Sequence, residues 1–173
     1  MRSPLLDYIR DVPDFPTPGI LFRDITPLLA EPSAFSEAIR AMAAPFRDSA
    51  VAKVLGIEAR GFLFGAALAR ELGAGLVPAR KSGKLPRQSV RVTYGLEYGR
   101  DSLEIHSDAF SRGERVLVAD DVLATGGTAR AAAELAEKLG AEIVGLTFLI
   151  ELGKLEGKKQ LPGRRVHSVL MLE

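Results

Sequence analysis

Two adjacent carboxylates, Asp120 and Asp121, follow four apolar residues in the run Val116–Arg130, VLVADDVLATGGTAR. A small, hydroxyl- and glycine-rich loop comes next: Ala124, Thr125, Gly126, Gly127 and Thr128. An alanine-rich stretch completes the run. Glycines allow successive backbone amides to converge on an anion. A helix that starts there adds unpaired N–H groups and a positive dipole end. Carboxylates repel phosphate, so Asp120 and Asp121 are expected to face sugar hydroxyls or a hard cation such as Mg²⁺. One short segment can therefore hold a phosphorylated sugar. The run is neither a Walker A loop, because no Gly-Lys-Ser/Thr follows, nor a G-x-G-x-x-G dinucleotide fingerprint. The ordinary alternative is a strand-to-helix turn with Thr128 capping the helix. The apolar strand before and the amphipathic helix after weigh against that alternative.

The elements that must position this segment are legible from periodicity. Strands are expected at Lys53–Ile57, Gly75–Ala79, Arg115–Ala119, Glu142–Leu149 and Val166–Leu172. The last reads equally well as a sheet edge or an interface strand. Val90–Tyr94 and Ser102–His106 read as paired strands around a glycine-bearing loop. Helices are expected over Leu5–Arg10, Pro32–Asp48, Gly61–Leu72 and Gly127–Leu139, with Gly73 and Gly140 as C-terminal stops. Pro13, Pro16 and Pro18 make the segment between the first two helices an extended, irregular hood. Strands alternating with helices predict an α/β fold: a mainly parallel twisted sheet flanked by helices. Ligands of such sheets collect beyond the carboxyl ends of the strands. Three chemistry-bearing segments fall there, Ile57–Gly61, Ala79–Lys84 and Asp120–Thr128.

Composition narrows the function class. The chain has 173 residues, 47% of them hydrophobic, which suits one domain over residues 1–173. It has no cysteine, which excludes disulfides, thiolate metal sites and a cysteine nucleophile. A net charge of +1 gives no general attraction to nucleic acid or to an anionic membrane. The first twenty residues hold five charges and no apolar core, so no secretory leader is expected, and no apolar stretch is long enough to span a bilayer. Charge is uneven, however. Arg80, Lys81, Lys84, Arg87, Arg91 and Arg100 face only Glu97 and Asp101 between residues 80 and 102. Such a local excess suits an acidic substrate. A solvated basic hairpin or a weak nucleic-acid patch is the alternative, but only Tyr94 and Tyr98 are available there to stack on bases. His106 and His167 stand far apart and lack metal-ligand spacing.

The Asp-Asp and Thr-Gly-Gly-Thr segment resembles the phosphoribosyl-diphosphate (PRPP) binding motif of type I phosphoribosyltransferases. Four further segments resemble adenine phosphoribosyltransferases within that group: PDFPTPGILFRDITP (Pro13–Pro27), GIEARGFLFG (Gly56–Gly65), RKSGKLP (Arg80–Pro86) and YGLEYGRDSLEIH (Tyr94–His106). The five occur in family order, over about residues 5–157.

The resemblance implies the conversion of adenine and PRPP to AMP and pyrophosphate in purine salvage, with Mg²⁺, in a cytoplasmic homodimer. It implies an N-terminal hood over about residues 1–30 and a flexible active-site lid over about residues 85–102. On the lid it places Glu97 as the general acid near adenine N7, bracketed by Gly95 and Gly99. Asp120 and Asp121 would hold the ribose hydroxyls, directly or through metal and water, and Ala124–Thr128 the 5′-phosphate. Pyrophosphate would lie against Glu58, Ala59, Arg60 and Gly61, where a non-proline cis peptide is expected, and against Arg80, Lys81 and Lys84. Ser82 stands where relatives are often basic. Phe22 and Leu152 would cover the two faces of adenine, while the main chain at Leu21 and Arg23 reads its edge. Ile25 and Leu28 fit the core better. Two other readings stay open: a 6-oxopurine phosphoribosyltransferase, against which the Pro13–Pro27 segment argues, and a non-catalytic PRPP-sensing regulator.

Overall fold

The computed structural model describes residues 3–96 and 99–173. Among these, seven strands form one sheet in the order β5-β6-β4-β3-β7-β8-β9. They are β3 (Lys53–Ile57), β4 (Gly75–Lys81), β5 (Ser89–Leu96), β6 (Gly99–His106), β7 (Arg115–Leu123), β8 (Glu142–Leu152) and β9 (Val166–Leu172). Neighbours from β4 through β3, β7 and β8 to β9 are parallel. The β5–β6 hairpin is antiparallel and joins β4 only at Arg80 and Lys81. Val166–Leu172 is thus an edge strand of the sheet. A second, two-stranded sheet pairs β1 (Arg10–Pro13) with β2 (Leu21–Asp24).

Helices cover both faces, which is why the central strands are apolar on both sides. On one face, α4 (Gly127–Lys138) buries Ala129, Ala131, Ala132, Ala133, Leu135 and Ala136 against Leu55, Val116, Val118 and Leu103. Alanine lets this helix lie close to the sheet. On the other face, α2 (Pro32–Ala43) and α3 (Gly61–Leu72) bury Ile39, Met42, Phe64 and Leu68 against Val54, Ala119 and Leu149. The same cluster takes Ile25 and Leu28, at the start and in the middle of the short α1 (Thr26–Ala30), so both belong to the core.

Several boundaries differ from expectation, each for a local reason. The helix expected to reach Asp48 stops at Ala43 and continues as a 3-10 turn over Ala44–Phe46, because Pro45 lacks an N–H. The N-terminal helix is a 3-10 turn over Pro4–Tyr8. The hood is more ordered than its prolines suggest: β1 and β2 flank a turn in which Gly19 N–H donates to Asp14 at 2.7 Å and the Phe15–Pro16 bond is cis. Most consequential is β7, which does not end at Ala119 but runs to Leu123, so Asp120 and Asp121 lie within the strand. Its pairing explains this. The ladder to β3 stops at Gly56↔Ala119, whereas the ladder to β8 continues to Leu123↔Glu151. The two carboxylates are thus held in strand geometry by β8 at the point where the β3 side falls open.

That opening is a topological switch point. From β3 the chain crosses by α3 to β4 on one side, and from β7 by α4 to β8 on the other. The crossovers part between β3 and β7 and leave a crevice at the strands' carboxyl ends.

Candidate active site

A cavity of about 280 Å³ occupies this crevice. Glu58, Ala59 and Arg60 form one wall, Lys81 a second, and Asp120, Asp121, Ala124 and Thr128 the third. A smaller cavity of about 70 Å³ adjoins it, bounded by Asp120, Leu123, Ala124, Thr125, Gly126 and Thr128. Three segments distant in sequence therefore meet, as strand periodicity alone predicted.

The third wall depends on two glycines. A Cβ on Gly61 would sit 2.7 Å from Asp120 Oδ1 and 3.0 Å from Ala119 O, so only glycine lets α3 begin so close to β7. Gly126 takes φ +86° at the N-cap of α4, and a Cβ there would meet Gly157 O at 2.2 Å. The loop after β7 is thereby packed against the 3-10 turn Gly157–Gln160. Among the described residues no side chain caps α4, Thr128 included, so its first amides are left for a ligand. Gly127 lies beneath the hairpin: its Cβ position is 3.4 Å from Gly95 O and 3.6 Å from the Tyr94 ring.

The carboxylates are strongly perturbed. Burial pushes the Asp120 carboxyl well above its ordinary pKa, and the neighbouring charge of Asp121 adds to the rise. Burial also raises Asp121, with the Arg60 guanidinium opposing it. Arg60 Nε stands 2.9 Å from Asp121 Oδ2, yet that buried oxygen makes no hydrogen bond among the described residues. The Asp121 amide donates to Asp120 Oδ1 at 2.9 Å. Both side chains are hard oxygen donors, and among the described residues no cluster of three or more His, Cys, Asp or Glu could hold a metal. Such a pair suits Mg²⁺, which takes one or two carboxylates and fills the rest of its octahedron with water and substrate oxygens.

The opposite wall holds a feature that charge counting missed. Glu58, only 10% exposed, accepts hydrogen bonds from Arg80 Nε at 3.3 Å, from the Lys81 amide at 2.8 Å and from Lys84 Nζ. Burial works against its charge, but the bonds from Lys84, the Lys81 amide and Arg80 outweigh it and hold its pKa down to about 2. Lys81 Nζ pairs with Asp101 and donates to Tyr94 Oη at 3.2 Å. Burial favours loss of the Lys81 proton, and its bonds to Asp101 and Tyr94 reverse that, so its pKa rises. Arg91 and Arg87 pair with Glu104 and Asp108. Arg80, Lys81, Lys84, Arg87 and Arg91 are thus each met by a carboxylate, and three of those carboxylates (Glu58, Glu104, Asp108) lie outside the stretch. The expected open positive field is a set of ion pairs. Ser82, where a further cation was expected in relatives, donates to Glu104 at 3.1 Å. The pairing of Lys81 with Asp101 and Tyr94 was not legible in the sequence: the hairpin register sets Tyr94 opposite Asp101, but Lys81 joins them from β4.

The residues expected to bind the base are partly joined to this crevice. Phe22 packs edge-on to Phe15, with ring centroids 5.1 Å apart, and the Arg60 guanidinium lies 5.1 Å from the Phe22 ring centre. Arg60 therefore links the hood to Asp121. Leu21 is exposed, and the Arg23 side chain turns away to Asp11 and to Glu173 O, leaving only main chain to serve a ligand. Leu152, half-buried, ends β8. The Glu58–Ala59 peptide is cis, as the resemblance implied. Glu97 and Tyr98 lie outside the described residues. Neither histidine lines the crevice, and His167 bonds Ala41 O at 3.1 Å.

A phosphoribosyl transferase domain model matches residues 25–169. The adenine phosphoribosyltransferase of Myxococcus xanthus is 60% identical over 162 residues, 94% of this chain and 88% of its own. The chain belongs to the adenine phosphoribosyltransferases. The crystal structure of the Rhodothermus marinus adenine phosphoribosyltransferase superposes with a TM-score of 0.94 at 54% identity, covering 97% of this chain and 96% of that one. That of Saccharomyces cerevisiae, solved with an imino-altritol bisphosphate and adenine, gives 0.90 at 40% identity, covering 96% of each. The adenine reading thus holds over the 6-oxopurine and regulator readings, and this adenine phosphoribosyltransferase is an enzyme of purine salvage.

Proposed function

We propose that, in the reaction adenine + PRPP → AMP + pyrophosphate, the crevice between β3 and β7 is where PRPP binds. The observation that carries this reading is the meeting of an anion-ready helix start with two buried carboxylates. Ala124, Thr125, Gly126, Gly127 and Thr128 take the 5′-phosphate through the free amides of α4 and the threonine hydroxyls. Asp120 and Asp121 accept hydrogen bonds from the ribose hydroxyls and would hold Mg²⁺, directly or through water. Bound there, Mg²⁺ would offset negative charge on the diphosphate. The Ala59–Gly61 main chain, Arg60, Arg80, Lys81 and Lys84 receive the departing pyrophosphate, with Arg60 supplying a planar fork.

Adenine then lies against Phe22, with Leu152 on its other face and the main chain at Leu21 and Arg23 along its edge. As C1′ loses pyrophosphate and develops oxocarbenium character, no covalent nucleophile is required. The chain positions the two reactants, stabilises the leaving group and polarises the purine. Glu97, the acid–base group at N7, takes the proton that adenine loses as N9 bonds C1′ and returns it as general acid in the reverse reaction, and the β5–β6 hairpin, lying over Gly127, closes as a lid against water. General acid–base help of this kind is worth about 10²–10⁴-fold. Glu97→Ala is accordingly expected to lower kcat on that order while leaving the thermal unfolding curve unchanged. A near-wild-type kcat would remove Glu97 from the mechanism.

On the family's habit we place the enzyme in the cytoplasm; among the described residues no helix is long and apolar enough to cross a membrane. Its recovery in a membrane or secreted fraction would contradict that placement.

A further inference from the structure

Glu58 poses a chemical problem. It stands where pyrophosphate is expected, and a carboxylate repels pyrophosphate. Yet it already does for the subsite's cations what a bound anion would do: it engages Arg80, Lys84 and the Lys81 amide together. These are three of the donors that pyrophosphate itself would use. Arg80 and Lys84 remain about a third and a half exposed, so their far sides are open to a ligand.

We propose that the Glu58 side chain is an internal counter-anion of the pyrophosphate subsite, holding Arg80 and Lys84 when the subsite is empty and giving them up when pyrophosphate arrives. This rests on the assignment of Arg80 and Lys84 to pyrophosphate made above. Its role is positioning, not catalytic, for it acts through the cations it holds.

Two consequences follow from the geometry. The first is orientation. Arg80 and Lys84 come from the end of β4 and the turn beyond it, and without a shared acceptor two neighbouring cations repel and spread into solvent. The carboxylate ties both to Glu58, which itself lines the crevice. The second is competition. The N–H groups committed to Glu58 are unavailable to pyrophosphate, so the apparent Kd rises as the fraction of time they are free falls. The same exchange run backwards hastens product release, because Glu58 reclaims the cations as pyrophosphate leaves. The carboxyl keeps its charge to about pH 2, so the competition does not vary across neutral pH.

The test is Mg-pyrophosphate binding by titration calorimetry, together with the product-inhibition constant of pyrophosphate against PRPP. Glu58→Gln keeps the shape and removes the charge. Because the ion pairs are partly solvated, the expected gain is modest, about three- to tenfold tighter pyrophosphate binding. Adenine affinity is expected to stay unchanged, which a general loss of structure would not allow. Glu58→Asp, with its oxygens withdrawn by one methylene, is expected to fall between wild type and Gln, and decides the question should the Gln variant not fold. Equal or weaker pyrophosphate binding in either variant would overturn the proposal. Lys84→Ala separates the two levels of inference. Weaker binding in Lys84→Ala without tightening in Glu58→Gln would leave the subsite assignment standing and sink the counter-anion. Unchanged binding in Lys84→Ala would overturn both.

Discussion

Arg60 carries more of the site than its place in the sequence suggests. Its guanidinium meets Asp121 and the Phe22 ring at once, so one side chain couples the paired carboxylates to the hood. An ion pair to the buried Asp121 carboxylate and a partly exposed cation–π contact together are worth about 2–4 kcal/mol. Arg60→Ala is therefore expected to weaken PRPP binding on the order of thirtyfold or more. Arg60→Lys should restore little of it, because an ammonium lacks the planar fork. A Lys variant with wild-type KM for PRPP would show that only the charge matters. The sequence made Arg60 visible as a candidate anion ligand, through its position after β3. Its contact with Phe22 was not legible, because it depends on how the hood folds back. The same holds for Glu58: residue type and spacing placed it in the crevice, but its three donors arrive from β4 and the turn beyond, a contact that spans more than twenty residues.

At the scale of elements, the strand-exit pattern predicted where the segments converge, and the ladders explain how. β8 extends the pairing of β7 past the point where β3 stops, and this presents Asp120 and Asp121 at the crevice. Periodicity placed the end of β7 too early because acidic residues disrupt an apolar run, although they remain in the strand. Lys53–Ile57, Gly61–Leu72 and Val166–Leu172 matched their expected bounds, since each is a clean apolar pattern with a strong stop or start. The β1–β2 pair was missed because prolines and short length mask a two-stranded ribbon. The start of α3 is where element packing bears on chemistry. Adding a Cβ to Gly61 crowds Asp120, while adding one to Gly65, one turn along, crowds Gly56 and Leu76 at 3.1 Å instead. Overpacking of this sort costs about 1–3 kcal/mol, so Gly61→Ala and Gly65→Ala should both lower Tm. Only Gly61→Ala should also weaken PRPP binding, as titration calorimetry would show. Equal PRPP affinities in the two variants would mean that the α3–β7 approach does not position Asp120.

At the scale of the whole molecule, the sheet has an unfinished edge. β4 pairs with β3 along Gly75–Ala79, but β6 reaches it only at Arg80 and Lys81. Along the rest of β4, Leu76 is 42% exposed, and Leu63 on α3 is 48% exposed. An open strand edge with exposed apolar side chains invites a partner. The homodimer that the family resemblance implies is the expected occupant, and sedimentation velocity at micromolar concentration should report twice the chain mass of 18.6 kDa. A monomer across that range would contradict it. The switch-point crevice is proposed to bind PRPP, with the hood presenting adenine to it. The most direct test follows PRPP consumption, nucleotide and pyrophosphate with adenine, guanine, hypoxanthine and xanthine, with Mg²⁺ and with the metal chelated. AMP is expected from adenine alone, and only with Mg²⁺. Formation of IMP, GMP or XMP, or PRPP binding without turnover of any base, would contradict it.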